Sequence, residues 1–304
     1  MLAQKFSFED CLKHSIKQAW TIDDCFQGRD FDFSKRFLPD RIAGVDGITC
    51  LNEVEKLKLN QIRGNSYCHI FAFVEEYIIP MVLDHARRDV YGDETRLRFL
   101  LRFAEDETKH QDMLRRAMTQ FEAGFGHHCG VIPGREQVAE VVLSKSPLAA
   151  LLLTSMIEWF TQLHYVEHVR DEDALDPLFH DILRYHWIDE AQHAKGDSLL
   201  IEEITAAMSE EEREAAVDEL LELGMAIDGL LAQQVDMDIA ALEGATGRSF
   251  TEDEKAEIRE HQTRSYRWTF IVSGLEHPRF VETVGDVTGG GQRKIADAAA
   301  ALAA

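Results

Sequence analysis

Residues 103–110 read FAEDETKH and residues 184–195 read RYHWIDEAQHAK. Each holds a Glu-x-x-His step, Glu107/His110 and Glu190/His193. Residues three apart on a helix project to the same side, so each pair is placed to grip one metal ion. Two further stretches put acid into apolar surroundings: Glu75 and Glu76 within CHIFAFVEEYIIP (68–80), and Glu158 within LLLTSMIEWFTQ (151–162). The order is Glu, Glu-x-x-His, Glu, Glu-x-x-His. That is the ligand order of dinuclear carboxylate sites inside four-helix bundles. Four carboxylates against two divalent cations leave such a buried site near neutral, whereas without metal the acids must protonate.

A single Glu-x-x-His carries little weight, since 13 His in 304 residues give roughly one or two by chance. The arrangement carries more. Each step follows a helix with a Glu in an apolar run, and Glu75 to Glu107 and Glu158 to Glu190 are both intervals of 32 residues. This fits two helical hairpins related by a pseudo-twofold axis. Glu75 lies nearer than Glu76 to the stripe of Phe71, Val74, Ile78 and Val82, but both stay candidates. Glu158 interrupts an apolar stretch where an unpaired carboxylate is costly. His186, four before Glu190 and seven before His193, reads as a seventh ligand on the Glu190/His193 ion or as a core residue beside Trp187. Asp189 and Asp197 read as surface charges or as partners of the ligand imidazoles. Phe103, Trp159, Gln162 and Tyr165 are candidates for a pocket wall.

The set Glu75, Glu107-x-x-His110, Glu158 and His186-x-x-x-Glu190-x-x-His193 resembles the p-aminobenzoate N-oxygenase family. This is a ferritin-like di-iron oxygenase group marked by an extra His one turn before the final Glu-x-x-His. The resemblance spans about residues 51–240. It implies an all-α, ferritin-like four-helix bundle, two iron ions, O2 activation and amine-to-nitro oxidation. Ligand type alone also permits Mn/Fe or Mn/Mn.

The rest of the chain agrees with an all-α reading. Apolar residues recur at helical spacing, and caps divide them into helices over 8–20, 51–90, 93–121, 135–143, 147–170, 177–208, 209–242 and 251–274. Pro80 is expected to kink the second of these. Segment 1–50 reads as a helix and a wrapping loop, 51–275 as the di-iron helical domain with additional helices at both ends, and 276–304, Gly- and Ala-rich, as a flexible tail. The later helices are expected to cover the bundle or form a homodimer face.

Composition narrows the function. With 32 Lys and Arg against 55 Asp and Glu, a net charge of −23, the chain is not expected to bind nucleic acid. No apolar run approaches the roughly 20 residues of a membrane span, and the start MLAQKFSFEDCLKH lacks the pattern of a secretory leader. Five scattered cysteines without a CxxC pair read as free thiols of a cytoplasmic protein. The expected protein is an oxidoreductase using O2, an electron donor and a small organic substrate. The alternative is a ferritin-like ferroxidase without an organic substrate, against which the segments beyond the bundle and a seventh ligand both argue.

Overall fold

The computed structural model describes residues 7–303. Residues 1–6, the start of the 1–50 segment and of any leader, and Ala304 lie outside the described residues. Thirteen α-helices follow in order among the described residues: α1 Phe8–Lys17, α2 Ile22–Phe26, α3 Asp40–Ala43, α4 Glu53–Ala86, α5 Glu94–Phe125, α6 Arg135–Leu143, α7 Pro147–His164, α8 Pro177–Thr205, α9 Glu210–Thr246, α10 Glu252–Arg267, α11 Ser273–Leu275, α12 Pro278–Val287 and α13 Gly291–Ala303. Their starts are written in the sequence. Asn52, Ser209 and Thr251 close capping boxes with Glu55, Glu212 and Glu254. Ser146 and Asp176 cap helices that have proline in the first turn. Each such cap satisfies backbone N–H groups that a helix start leaves open.

Helices α4 and α5 pack as one hairpin and α7 and α8 as another; together they form the bundle, with α9 laid across α4 and α7. Pro80 lies inside α4, which continues through it. By length and mean hydropathy the segment Glu53–Asp89 passes as a membrane span, yet over half of its apolar window is buried in the bundle. Helix α7 continues into a π turn at Tyr165–Val169, and α10 into another at Trp268–Val272.

The segment between α2 and α4 wraps the bundle. It is held by side chains of α4: Asn60 Oδ1 accepts from the N–H groups of Phe37 and Leu38, and Gln61 donates to the carbonyls of Phe33 and Lys35. Glycine makes the approach close enough, since a Cβ at Gly64 would stand 2.9 Å from Phe37. The same device joins α8 to α5, where a Cβ at Gly196 would stand 2.5 Å from the Phe99 ring.

The reading of 276–304 as a flexible tail is corrected. His277 caps α12, and α13 buries Ile295, Ala299 and Leu302 along one stripe. Small side chains gave this stretch little apolar contrast, but alanine is the best helix former and packs closely. Replacing the fully buried Ile295 by Ala is expected to lower the unfolding free energy by about 2–5 kcal/mol. Urea denaturation of the metal-free protein measures it, and an unchanged midpoint would mean that α13 is not docked.

Candidate metal centre

Each bundle helix brings acid to the centre. Glu75 on α4, Glu107 and His110 on α5, Glu158 on α7, and His186, Glu190 and His193 on α8 are all buried. Their donor atoms form two overlapping groups, in each of which every atom lies within 4.8 Å of the others. One is Glu75, His110, His186 and Glu190; the other is Glu107, Glu158, Glu190 and His193.

One carboxylate, Glu190, belongs to both groups. Glu190 Oε1 lies 2.6 Å from His186 Nε2 and 3.4 Å from His110 Nδ1, while its Oε2 lies 2.7 Å from His193 Nδ1. Glu107 Oε1 lies 3.0 Å from His193 Nδ1, and its Oε2 lies 3.8 Å from His110 Nδ1. Glu75 belongs to the first side, 3.0 Å from His186 Nε2.

This geometry changes the expected pairing. Each Glu-x-x-His step was read as gripping one ion, with His186 on the ion of His193. Instead the two histidines of the steps face opposite positions, and His186 joins His110. A three-residue step advances about 4.5 Å along the axis, close to the separation of roughly 3.5–4 Å between ions in two-metal sites, so the His and the Glu of one step need not face the same position. His186, seven residues before His193, stands about 10 Å from it along the axis.

Glu76 is placed outside both groups. Its carboxylate points away from the bundle interior and meets Arg115 at 3.1 Å and Arg135 at 3.0 Å. Adjacent helical residues diverge by about 100°, so α4 can present only one of the two acids to the interior, and the apolar stripe selects Glu75.

The donors at the centre fit cations. Glu75 Oε2, both oxygens of Glu107 and Nδ1 of His110 are buried with no hydrogen-bond partner among the described residues. Burial pushes the Glu75 carboxyl up to about 7 and, together with the Glu190 charge, raises that of Glu158 well above the usual range. Burial works in the same direction on Glu190, but His186 and His193 hold it well below. The imidazoles respond in kind. Against burial, Glu190 raises His186 to about 9, and His110 and His193 stand well above their ordinary value. Without metal the cluster is a set of acids and imidazoles sharing protons.

Around it lies a brace that the sequence announced only in part. Of the two readings of Asp189, the imidazole partner is the one found: it is buried, and its Oδ2 accepts from His110 Nε2 at 3.1 Å, Lys109 Nζ at 2.9 Å and Trp20 Nε1 at 2.8 Å. Lys109 also donates to Asp106 Oδ1 at 2.8 Å, and Asp106 Oδ2 lies 3.6 Å from His193 Nε2. Against burial, His193 and Lys109 hold Asp106 down at about 2. The missed Asp106 carries a signal: an Asp stands immediately before the Glu of both steps, in DETKH and DEAQH. Asp197, given the same two readings, is fully buried with neither oxygen partnered among the described residues, and burial raises its carboxyl well above the usual range.

Of the expected wall residues, Phe103 stacks on His193 with centroids 3.8 Å apart. The others make their contacts elsewhere: Trp159 on His277, Tyr165 on Trp187, and Gln162 with the Trp187 carbonyl. Phe71, not singled out as a wall, sets its ring edge-on to His186 at 5.0 Å.

Comparison with known proteins follows this geometry. No curated protein matches the sequence significantly. Among solved structures, an R2-like ligand-binding oxidase variant with a Mn/Fe cofactor is similar at 15% identity and TM-score 0.47, covering 88% of this chain and 94% of that one. A second Mn/Fe variant gives 15% and 0.48, covering 89% and 98%. A variant with an Fe/Fe cofactor gives 16% and 0.47, covering 88% and 94%. The family model described as P-aminobenzoate N-oxygenase AurF matches residues 26–271, and the chain belongs to that family, an oxidoreductase of the di-iron oxygenase/oxidase class.

Proposed function

We propose that Glu75, Glu107, His110, Glu158, His186, Glu190 and His193 hold two iron ions. With O2 and electrons from a donor protein or cofactor, the protein then oxidises a small organic substrate, an amine at its nitrogen. The observation that carries the reading is the convergence of buried, unpartnered carboxylate oxygens with three imidazoles at two adjoining positions. Family membership supports the amine. Five free cysteines support a reducing cytoplasm.

Bound iron supplies the redox chemistry with O2. The protein's own share is orientation, charge and exclusion of water. Asp189 holds the Nε2–H of His110, which leaves Nδ1 free to ligate, and Asp106 lies beside His193 Nε2 at 3.6 Å without a hydrogen bond. Glu190 would serve both positions and Glu107 that of His193, so that the packing of α5 against α8 holds the two positions side by side. Phe71 and Phe103 close the imidazole faces against water. The position of His110 and His186 is nitrogen-rich, whereas that of His193 and Glu158 has one imidazole.

Substitution separates the two acids of α4 and tests Glu158. Glu76→Gln is expected to leave two irons per chain after reconstitution, whereas Glu75→Gln and Glu158→Ala lower occupancy, as measured by elemental analysis per folded molecule. Glu158→Ala also removes a buried carboxylate, so the metal-free variant should be at least as stable as the parent. Full two-iron loading of Glu158→Ala would remove it from the ligand set.

Metal uptake should depend on pH with a definite sign. Ligation needs ionised carboxylates and neutral imidazoles, and in the metal-free cluster Glu75 titrates near 7 and His186 near 9. Below these values uptake must expel protons, so affinity is expected to rise from pH 6 to 9. Titration calorimetry in buffers of different ionisation enthalpy counts the released protons, and uptake without proton release contradicts this account.

Activity decides the rest. The reduced, iron-loaded protein should consume O2 faster when an arylamine is added, with products heavier by oxygen in mass spectrometry. O2 uptake that follows added ferrous iron alone would favour the ferroxidase reading.

A further inference from the structure

An apolar cavity of about 70 Å³ lies between α4, α6, α7 and α9. Every side chain lining it is hydrocarbon except Tyr77, whose hydroxyl already pairs with Thr154 at 3.3 Å. Its deep end is buried, formed by Phe71, Leu153, Ile157 and Phe270, and its outer end is ringed by half-buried side chains such as Val138 and Ile227. The deep end meets the candidate metal centre at Phe71, which lines the cavity and stands edge-on to His186.

We propose that this cavity holds dioxygen and leads it to the metal centre; the proposal rests on the two-iron reading above. Size and polarity select the occupant. An apolar cavity of about 150 Å³ takes benzene or xenon, so half that volume suits a molecule of two or three heavy atoms rather than an aromatic ring. A water needs two to four polar partners and finds none here. An amine or carboxylate would lose its hydration without compensation. Dioxygen is small, uncharged and indifferent to hydrogen bonding, and it favours apolar surroundings over water.

Xenon-pressurised crystals of the iron-free protein test the site without turnover. A xenon peak bounded by Phe71, Ile157 and Phe270 is expected; no xenon, or ordered water in its place, overturns the proposal. Val138→Trp, at the outer end and away from every ligand, is expected to abolish the peak. In the iron-loaded enzyme at equal iron content it should raise the KM for O2 severalfold. Ile227→Trp serves the same purpose from α9 if the first variant does not fold. A lost peak with an unchanged KM for O2 overturns the path. A xenon-filled cavity in a protein that takes up no iron overturns the dioxygen role together with the two-iron reading. An empty cavity in an iron-loaded, O2-consuming protein overturns the path alone.

Discussion

Four carboxylates from four helices face one another at the centre of the bundle, and much of the surrounding structure answers to their mutual repulsion. Buried acids of like charge this close cannot all ionise unaided. Three imidazoles supply part of the opposing charge by taking up protons, which is why Glu190 stays ionised while Glu75 and Glu158 are pushed the other way. Two divalent cations supply it in full. The metal-free state is a proton-sharing substitute for a loaded one.

Such a cluster needs a rigid frame, since each carboxylate gains by swinging away. The frame is the cross-brace of Asp106, Lys109 and Asp189, in which one ammonium links the Asp preceding each Glu-x-x-His step. The pseudo-twofold relation of the hairpins explains its pattern: Asp189 of α8 supports His110 of α5, and Asp106 of α5 lies beside His193 of α8. Trp20 extends the brace outward, donating to Asp189 with its ring under the Lys109 ammonium. The N-terminal segment thereby becomes part of the ligand support rather than an appendage.

The legible parts of this protein are those governed by local rules. Caps and apolar spacing place the helix starts within a residue or two, because a capping box acts over four residues. Ligand candidates were legible for a related reason: a Glu in LLLTSMIEWF breaks the local pattern. Whatever depended on neighbours distant in sequence was not legible. The apolar stripe inclines the choice toward Glu75, but the arginines that meet Glu76 from other helices, Arg115 and Arg135, were not legible. The sharing of His110 and His186 between one pair of carboxylates depends on the vertical offset of α5 against α8, which no spacing within one helix contains. Helix α13 was missed because alanine gives a buried stripe almost no contrast with its surroundings.

The offset also makes the two metal positions chemically unequal. Glu190 is common to both donor groups, so the difference lies in what each adds: Glu75, His110 and His186 on one side, Glu107, Glu158 and His193 on the other. The first side is the richer in imidazole, with two against one. The second has Phe103 on the face of His193, and burial raises the nearby carboxyl of Asp197 well above the usual range. A bundle with two equal positions would hold and release metal symmetrically, as suits transit. The histidine a turn before the last Glu-x-x-His step makes one donor group richer in nitrogen than the other. That inequality follows from a single side chain placed on an otherwise twofold frame.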